Sequence, residues 1–215
     1  MIASPVIRTS IQRRPLRTVV AAAAFSLIPL SLLAQTADPS AVAGRVGAQA
    51  ILLSTLDAKK IQSGAGFQAK LDGKVHLANG TELPSGTVLN GTIASDDMNV
   101  SGNAKLVLRF TTAQLKDGKT LPIQAMIVGF DPPANQDDLI GYDVSVPHPN
   151  DWVPQTAAVD HLGVIGGVDL HSKIDSQNSG VFVATGKGDV KLGAGSAINL
   201  AIATDQPGAN TAAGN

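Results

Sequence analysis

The chain has 215 residues, with 44% hydrophobic but only 3% aromatic residues, no cysteine and a formal net charge of −1. The lack of cysteine excludes disulfides, thiolate metal centres and cysteine nucleophiles. Residues 1–34 carry four of the 16 basic and none of the 17 acidic residues, so the remainder has a formal charge of −5, without the basic footprint that nucleic acid or anionic lipid requires.

Residues 1–34 read as a signal peptide. Arg8, Arg13, Arg14 and Arg17 precede an uncharged run from Thr18 to Ala34, the pattern of a basic region, an apolar region and a small residue at the cut. Leu32 is larger than the residue usually found two before a cut. Arg13-Arg14 raises a twin-arginine route, which Pro15 and Arg17 fit poorly. The run is about 17 residues long and contains Pro29, short for a spanning helix, so cleavage is favoured over retention as an anchor. The expectation is an exported protein, periplasmic, envelope-associated or secreted, with no membrane span after cleavage.

Of the 17 acids, 16 are Asp and one is Glu82. Asp favours turns and caps where Glu favours helices, so the bias suits strands and loops. Residues 35–47, rich in small residues, read as a flexible leader. From Gln49 to Leu56 the apolar positions fit strand or helix, and the following Asp57–Lys60 turn with Ser63-Gly-Ala-Gly66 decides for strand. Between Phe67 and Ala94 short strands alternate with Asp72-Gly73, Asn79-Gly80, Pro84-Ser-Gly86 and Asn90-Gly91, read as turns.

Lys105 to Phe130 carries the strongest signal, two alternating apolar runs joined at Asp117-Gly118. A two-residue type I′ turn there places Lys116 opposite Lys119 and Leu108 opposite Ile127. Leu106, Leu108, Phe110, Ile123, Ala125 and Ile127 then share the core face, with a half-covered face behind them.

Residues 131–160 form a long loop with five Pro, six Asp, and the only Tyr142 and Trp152 of the chain. A loop this long is a functional excursion or an insertion. Strands are expected to resume at His161, over Val164–Leu170, Gly180–Ala184, Asp189–Leu192 and Ala197–Ala203, before a disordered tail, 205–215. The pattern V-x-L-x-x-G-S/T-x-L/I occurs at Val75–Leu83 and again at Val190–Ile198, and two such units can pair to close a barrel. The expected fold is all-β, a single mostly antiparallel barrel or sandwich with hairpins, over residues 48–204.

Leu56-Asp-Ala-Lys-Lys60, Leu83-Pro-Ser-Gly-Thr-Val-Leu89 and Ser179-Gly-Val-Phe182 followed by Val190-Lys-Leu192 resemble a family of uncharacterised exported β proteins of soil bacteria, chiefly acidobacteria. That resemblance implies export and a β fold and brings no activity. The P-x-G-T-x-L-x-G step is also similar to the β-barrel domain of TrbI-type conjugal-transfer channel subunits. The long proline-rich spacer that such subunits carry is absent from this sequence.

HExxH, G-x-S-x-G and P-loop motifs are missing, which removes the commonest exported hydrolases. His148, Asp151, Asp143 and Trp152 cluster in the long loop, where His161 can join them around a divalent cation. A proline-stiffened loop whose Asp side chains make turns is the favoured alternative. Asp169 and His171 share one strand face, as a metal or imidazole-orienting pair would, and equally as the wet side of a strand with Val168 and Leu170 inward. Asp175, Gln177, Ser179 and Gly180 have the alternation of a calcium loop, but Gly186 stands where its last acid belongs.

No cofactor is expected. The reading is a non-catalytic exported interaction module with a protein partner in the cell envelope, bound by edge-strand pairing or through Tyr142 and Trp152. Its rivals are a metal-dependent hydrolase on the 143–161 loop and a carrier of a small apolar ligand.

Overall fold

A computed structural model describes residues 44–133 and 157–205. Among them run thirteen strands and no helix: β1 (Val46–Leu52), β2 (Leu56–Asp57), β3 (Gly66–Leu71), β4 (Val75–His76), β5 (Glu82–Leu83), β6 (Val88–Ile93), β7 (Lys105–Gln114), β8 (Thr120–Asp131), β9 (Ala158–Ile165), β10 (Val168–Lys173), β11 (Gly180–Ala184), β12 (Lys191–Leu192) and β13 (Ala197–Thr204). Six strands close an antiparallel barrel in the order β6-β3-β1-β13-β8-β7, with β7 returning to β6. Alternation sets the wall: along β3, Phe67, Ala69 and Leu71 are buried and their neighbours exposed, as a strand with one dry face requires. Leu52, Leu71, Leu89, Leu108, Ile127, Leu200 and Ile202 are buried in one apolar core, the side-chain filling expected of a narrow barrel.

The β7–β8 hairpin forms, but one residue out of the expected register. Thr112 faces Pro122 and Gln114 faces Thr120, and the Gly118 amide bonds back to the Leu115 carbonyl. Only Gly118 of the turn is left-handed, at φ 85°, so this is a three-residue loop with a glycine bulge and not a type I′ turn. The Lys119 amide bonds to Asp117, holding that carboxyl below its usual range. The six expected core residues are nonetheless all buried. The reason is a bulge: Thr112 pairs with Asn90 and Phe110 with Gly91, leaving Thr111 unmatched, which reverses the in-out phase of β7 and restores the apolar set.

Beyond the hairpin, β7 and β8 part around Ser179. Its amide donates to Leu108 O, its carbonyl accepts from Ile127 N, and its hydroxyl accepts from Phe110 N. One buried residue thus takes the place of the ladder that direct β7–β8 pairing was expected to supply. From this split, β11, β10 and β9 extend the sheet away from β7. Val159 of β9 and Ile174, just after β10, lie over Met126, Val128 and Ala201 on the outer side of the barrel.

Further expectations fail here: strands resume before His161, since β9 begins at Ala158, and β8 runs through Asp131, into the expected 131–160 loop. Asn90-Gly91 is not a turn but the middle of β6, and Gly91 is required because a Cβ there would meet the Phe67 ring at 2.4 Å and Arg109 O at 2.7 Å. Val164–Leu170 is not one strand: it bends at Gly166-Gly167 between β9 and β10, with Gly167 at φ 76°. Order begins before residue 48, since β1 starts at Val46 and Arg45 is buried. The two sequence echoes do not pair with each other to close the barrel; β13 pairs with β1 and β8.

The first echo is the β4–β5 hairpin, turning at Gly80, and the second is a kink whose structural counterpart is the segment just after the first. Leu83-Pro-Ser-Gly86-Thr87-Val-Leu89 and Leu192-Gly-Ala-Gly195-Ser196-Ala-Ile198 both turn through a left-handed glycine, at φ 82° and 85°. Gly86 N donates to Leu71 O and Leu71 N to Thr87 O; Gly195 N donates to Leu52 O and Leu52 N to Ser196 O. In each, a long strand pair (β3–β6, β1–β13) continues past the kink into a short one (β4–β5, β12–β2).

Candidate functional site

Strand β9 forms the outer edge of the extension, pairing only with β10 among the described residues. Ile174 N donates to Ala157 O, which sets the ladder phase. The backbones of Val159 and His161 turn towards β10, and those of Ala158 and Asp160 turn outwards. Further along, Ile165 faces Val168 but His161 faces Leu170, so Leu162, Gly163 and Val164 bulge opposite Asp169 alone. Gly163 adopts φ 67°, and its amide donates to Asp169 Oδ1 at 2.8 Å. The bulge pushes Leu162 out to 80% exposure.

Each candidate side chain in the described residues has a local partner. His161 Nε2 lies 2.9 Å from Val128 O, and since a carbonyl only accepts, Nε2 carries the proton. Val128 is itself a bulge: Gly129 faces Asn199 and Ile127 faces Leu200, leaving it unmatched in β8. The imidazole therefore satisfies a carbonyl taken out of the ladder, and only Nδ1 of His161 retains a lone pair for any ligand. His171 Nδ1 donates to Asp160 Oδ1 at 2.6 Å across β9–β10. Its Nε2 is a potential proton acceptor, but no hydroxyl bonds to it among the described residues.

Asp169 and His171 share a face as expected, yet they are not brought together: one pins the Gly163 bulge and the other holds Asp160. The two flanking residues, Val168 and Leu170, are buried. His148, Asp151, Asp143, Tyr142 and Trp152 lie outside the described residues. Among those described, no three His, Asp or Glu side chains are grouped to hold a metal ion. The calcium-like segment is tied down instead by Asp97, which accepts from Ser176 Oγ and Gln177 N, while Ser179 serves as the wedge between β7 and β8.

Arg45, assigned to the leader by its surroundings in sequence, anchors the site from below. Its guanidinium bonds to Gln124 Oε1 and Ile174 O, at 3.2 and 3.3 Å, joining β8 to the segment after β10. Burial lowers its pKa, and Nε has no hydrogen-bond partner among the described residues. A lone Arg at the end of a small-residue stretch carries no sequence signal for this role.

No helix among the described residues is long and apolar enough to cross a membrane. No protein-family model matches the chain, and no curated protein matches it.

Proposed function

We propose that the chain is a non-catalytic β module, exported to the envelope or beyond, that binds a protein partner by adding a strand to β9. The observation that carries this reading is the outward-facing backbone at Ala158 and Asp160, beside an apolar side chain, Leu162, left in solvent. Unsatisfied N–H and C=O groups at a sheet edge pair with an extended segment without special side chains, and a neighbouring apolar residue adds contact area. His161 and Arg45 support the function by fixing the edge to the barrel. A filled barrel interior weighs against the ligand-carrier alternative, and the engagement of His161 Nε2 by a backbone carbonyl weighs against the metal-dependent hydrolase.

The test is in-cell cross-linking of the tagged full-length protein, with affinity capture and mass spectrometry of the envelope fraction. Ala158→Pro removes an N–H that faces away from β10 and leaves the β9–β10 ladder intact. One abundant partner lost in that variant is the expected result. A partner retained equally by Ala158→Pro and Leu162→Lys, both folded, removes β9 as the binding edge.

A further inference from the structure

At the far side of the kinked β1–β13 pair, the short strands β2 and β12 border a surface cleft of about 500 Å³ lined by Thr55, Asp57, Lys60, Ile61 and Lys191. That volume is in the range of small-molecule sites. The cleft follows from local structure: Asp57 O accepts from both Lys60 N and Ile61 N, and Asp57 Oδ1 accepts from Lys59 N. This single turn swings Lys60 and Ile61 back beside β12.

Donors exceed acceptors here. Asp57 is the only acid on the wall; one oxygen is bound to Lys59 N and the other meets Lys60 Nζ at a loose 3.7 Å. Lys191 stands opposite Asp57 in the strand pair but makes no ion pair among the described residues. Thr55 Oγ1 accepts from Ala194 N, so its own proton is left to donate. Two ammonium groups and a hydroxyl therefore face one occupied carboxylate.

The sister kink shows that this imbalance is not imposed by the fold. At the equivalent position of β4–β5, His76 faces Glu82, and Glu82 takes Lys74 at 3.3 Å and His76 at 3.6 Å. There Lys74 supplies the countercharge to Glu82. At β2–β12 Asp189 is taken by Lys59 at 3.2 Å, and Lys191 is left without an ion-pair partner among the described residues, free to meet an anion from solvent.

We propose that this cleft binds a small oxyanion-bearing molecule, a phosphate or carboxylate, held by Lys60 Nζ, Lys191 Nζ and the Thr55 hydroxyl. The cleft is open to solvent, and the short reach between Thr55, Lys60 and Lys191, beside the aliphatic wall of Ile61, suits a compact solute. This inference is independent of the β9 edge, which belongs to a different sheet.

The test is a two-dimensional amide NMR titration of the full-length protein with inorganic phosphate and, separately, succinate, at ionic strength held constant with chloride. Saturable shifts confined to Thr55, Asp57, Lys60, Ile61 and Lys191 are expected with one of the two probes, which also separates phosphate from carboxylate recognition. Lys60→Gln with Lys191→Gln should weaken that binding by about tenfold or more, the loss of two charge-assisted contacts. Lys60→Glu, at a side chain 82% exposed, keeps the test informative if the double variant misfolds. Shifts that fail to saturate, that spread equally to Lys70 and Lys116, or that persist in Lys60→Glu overturn the proposal.

Discussion

The two kinked strand pairs share one geometry and differ in how the chain reaches it. In the first, Ser85 Oγ bonds to Asp72 O across 13 residues of sequence. In the second, Ala194 N bonds to Thr55 Oγ1 across 139. The same glycine, the same hydroxyl-bearing residue after it and the same buried leucine before it serve a local element and the closure of the whole barrel. A motif of seven residues therefore encodes a backbone shape, and the rest of the chain decides what that shape joins.

Removing the buried leucine from each kink is the strongest way to break the comparison. Leu83 and Leu192 are both fully buried, so Leu83→Ala and Leu192→Ala should each cost about 2–5 kcal/mol in denaturant unfolding. Their kinetics should separate them. Local pairs form early and distant ones late, so Leu83→Ala should slow folding and Leu192→Ala chiefly speed unfolding, read from stopped-flow chevrons. Equal slowing of folding in both would mean that the distant kink forms before the rate-limiting step.

The hydroxyls sharpen the contrast at smaller scale. Thr87 Oγ1 donates to Pro84 O at 2.7 Å, whereas Ser196 Oγ is buried with no partner among the described residues. Thr87→Val should lower stability by about 1–2 kcal/mol, and Ser196→Ala should be neutral or stabilising, because an unpaired buried hydroxyl carries a desolvation cost. Thermal melts of the two variants decide it. The smallest effect is expected at the charges: Glu82→Gln should cost about 0.5 kcal/mol or less, as exposed ion pairs do. Lys191→Gln should change stability only when an anion is present, measured as a melting shift with and without phosphate.

Much of the wall was legible in the sequence because alternation is a local property. The six core residues of the β7–β8 hairpin could be named before its register, and the register itself was missed. Two bulges, at Gly118 and Thr111, shift phase by one residue each, and neither changes the hydrophobic pattern that a reader counts. Asn90-Gly91 looks like a turn until Phe67 of a neighbouring strand is placed over it; nothing within five residues of Gly91 announces that ring. The echo of Val75–Leu83 and Val190–Ile198 does not correspond to a shared structure, since the first is a hairpin and the second a kink that hydrogen bonding aligns with Leu83–Leu89. The cleft was the least legible feature. Thr55, Asp57 and Lys60 lie more than 130 residues from Lys191 in sequence and meet it only through the β2–β12 pairing.

The pairing of Val46 with Ile202 has a mechanical consequence. The first and last strands of the barrel lie side by side and antiparallel, so the start of β1 and the end of β13 leave the same rim. Tension drawn between those two ends acts along the ladder hydrogen bonds and opens them one after another like a zip, instead of shearing a whole strand at once. A barrel wired this way is a poor load-bearing link between its own ends, and an optical-tweezer pull across them should give way at low force, beginning at the start of β1, which β13 alone holds.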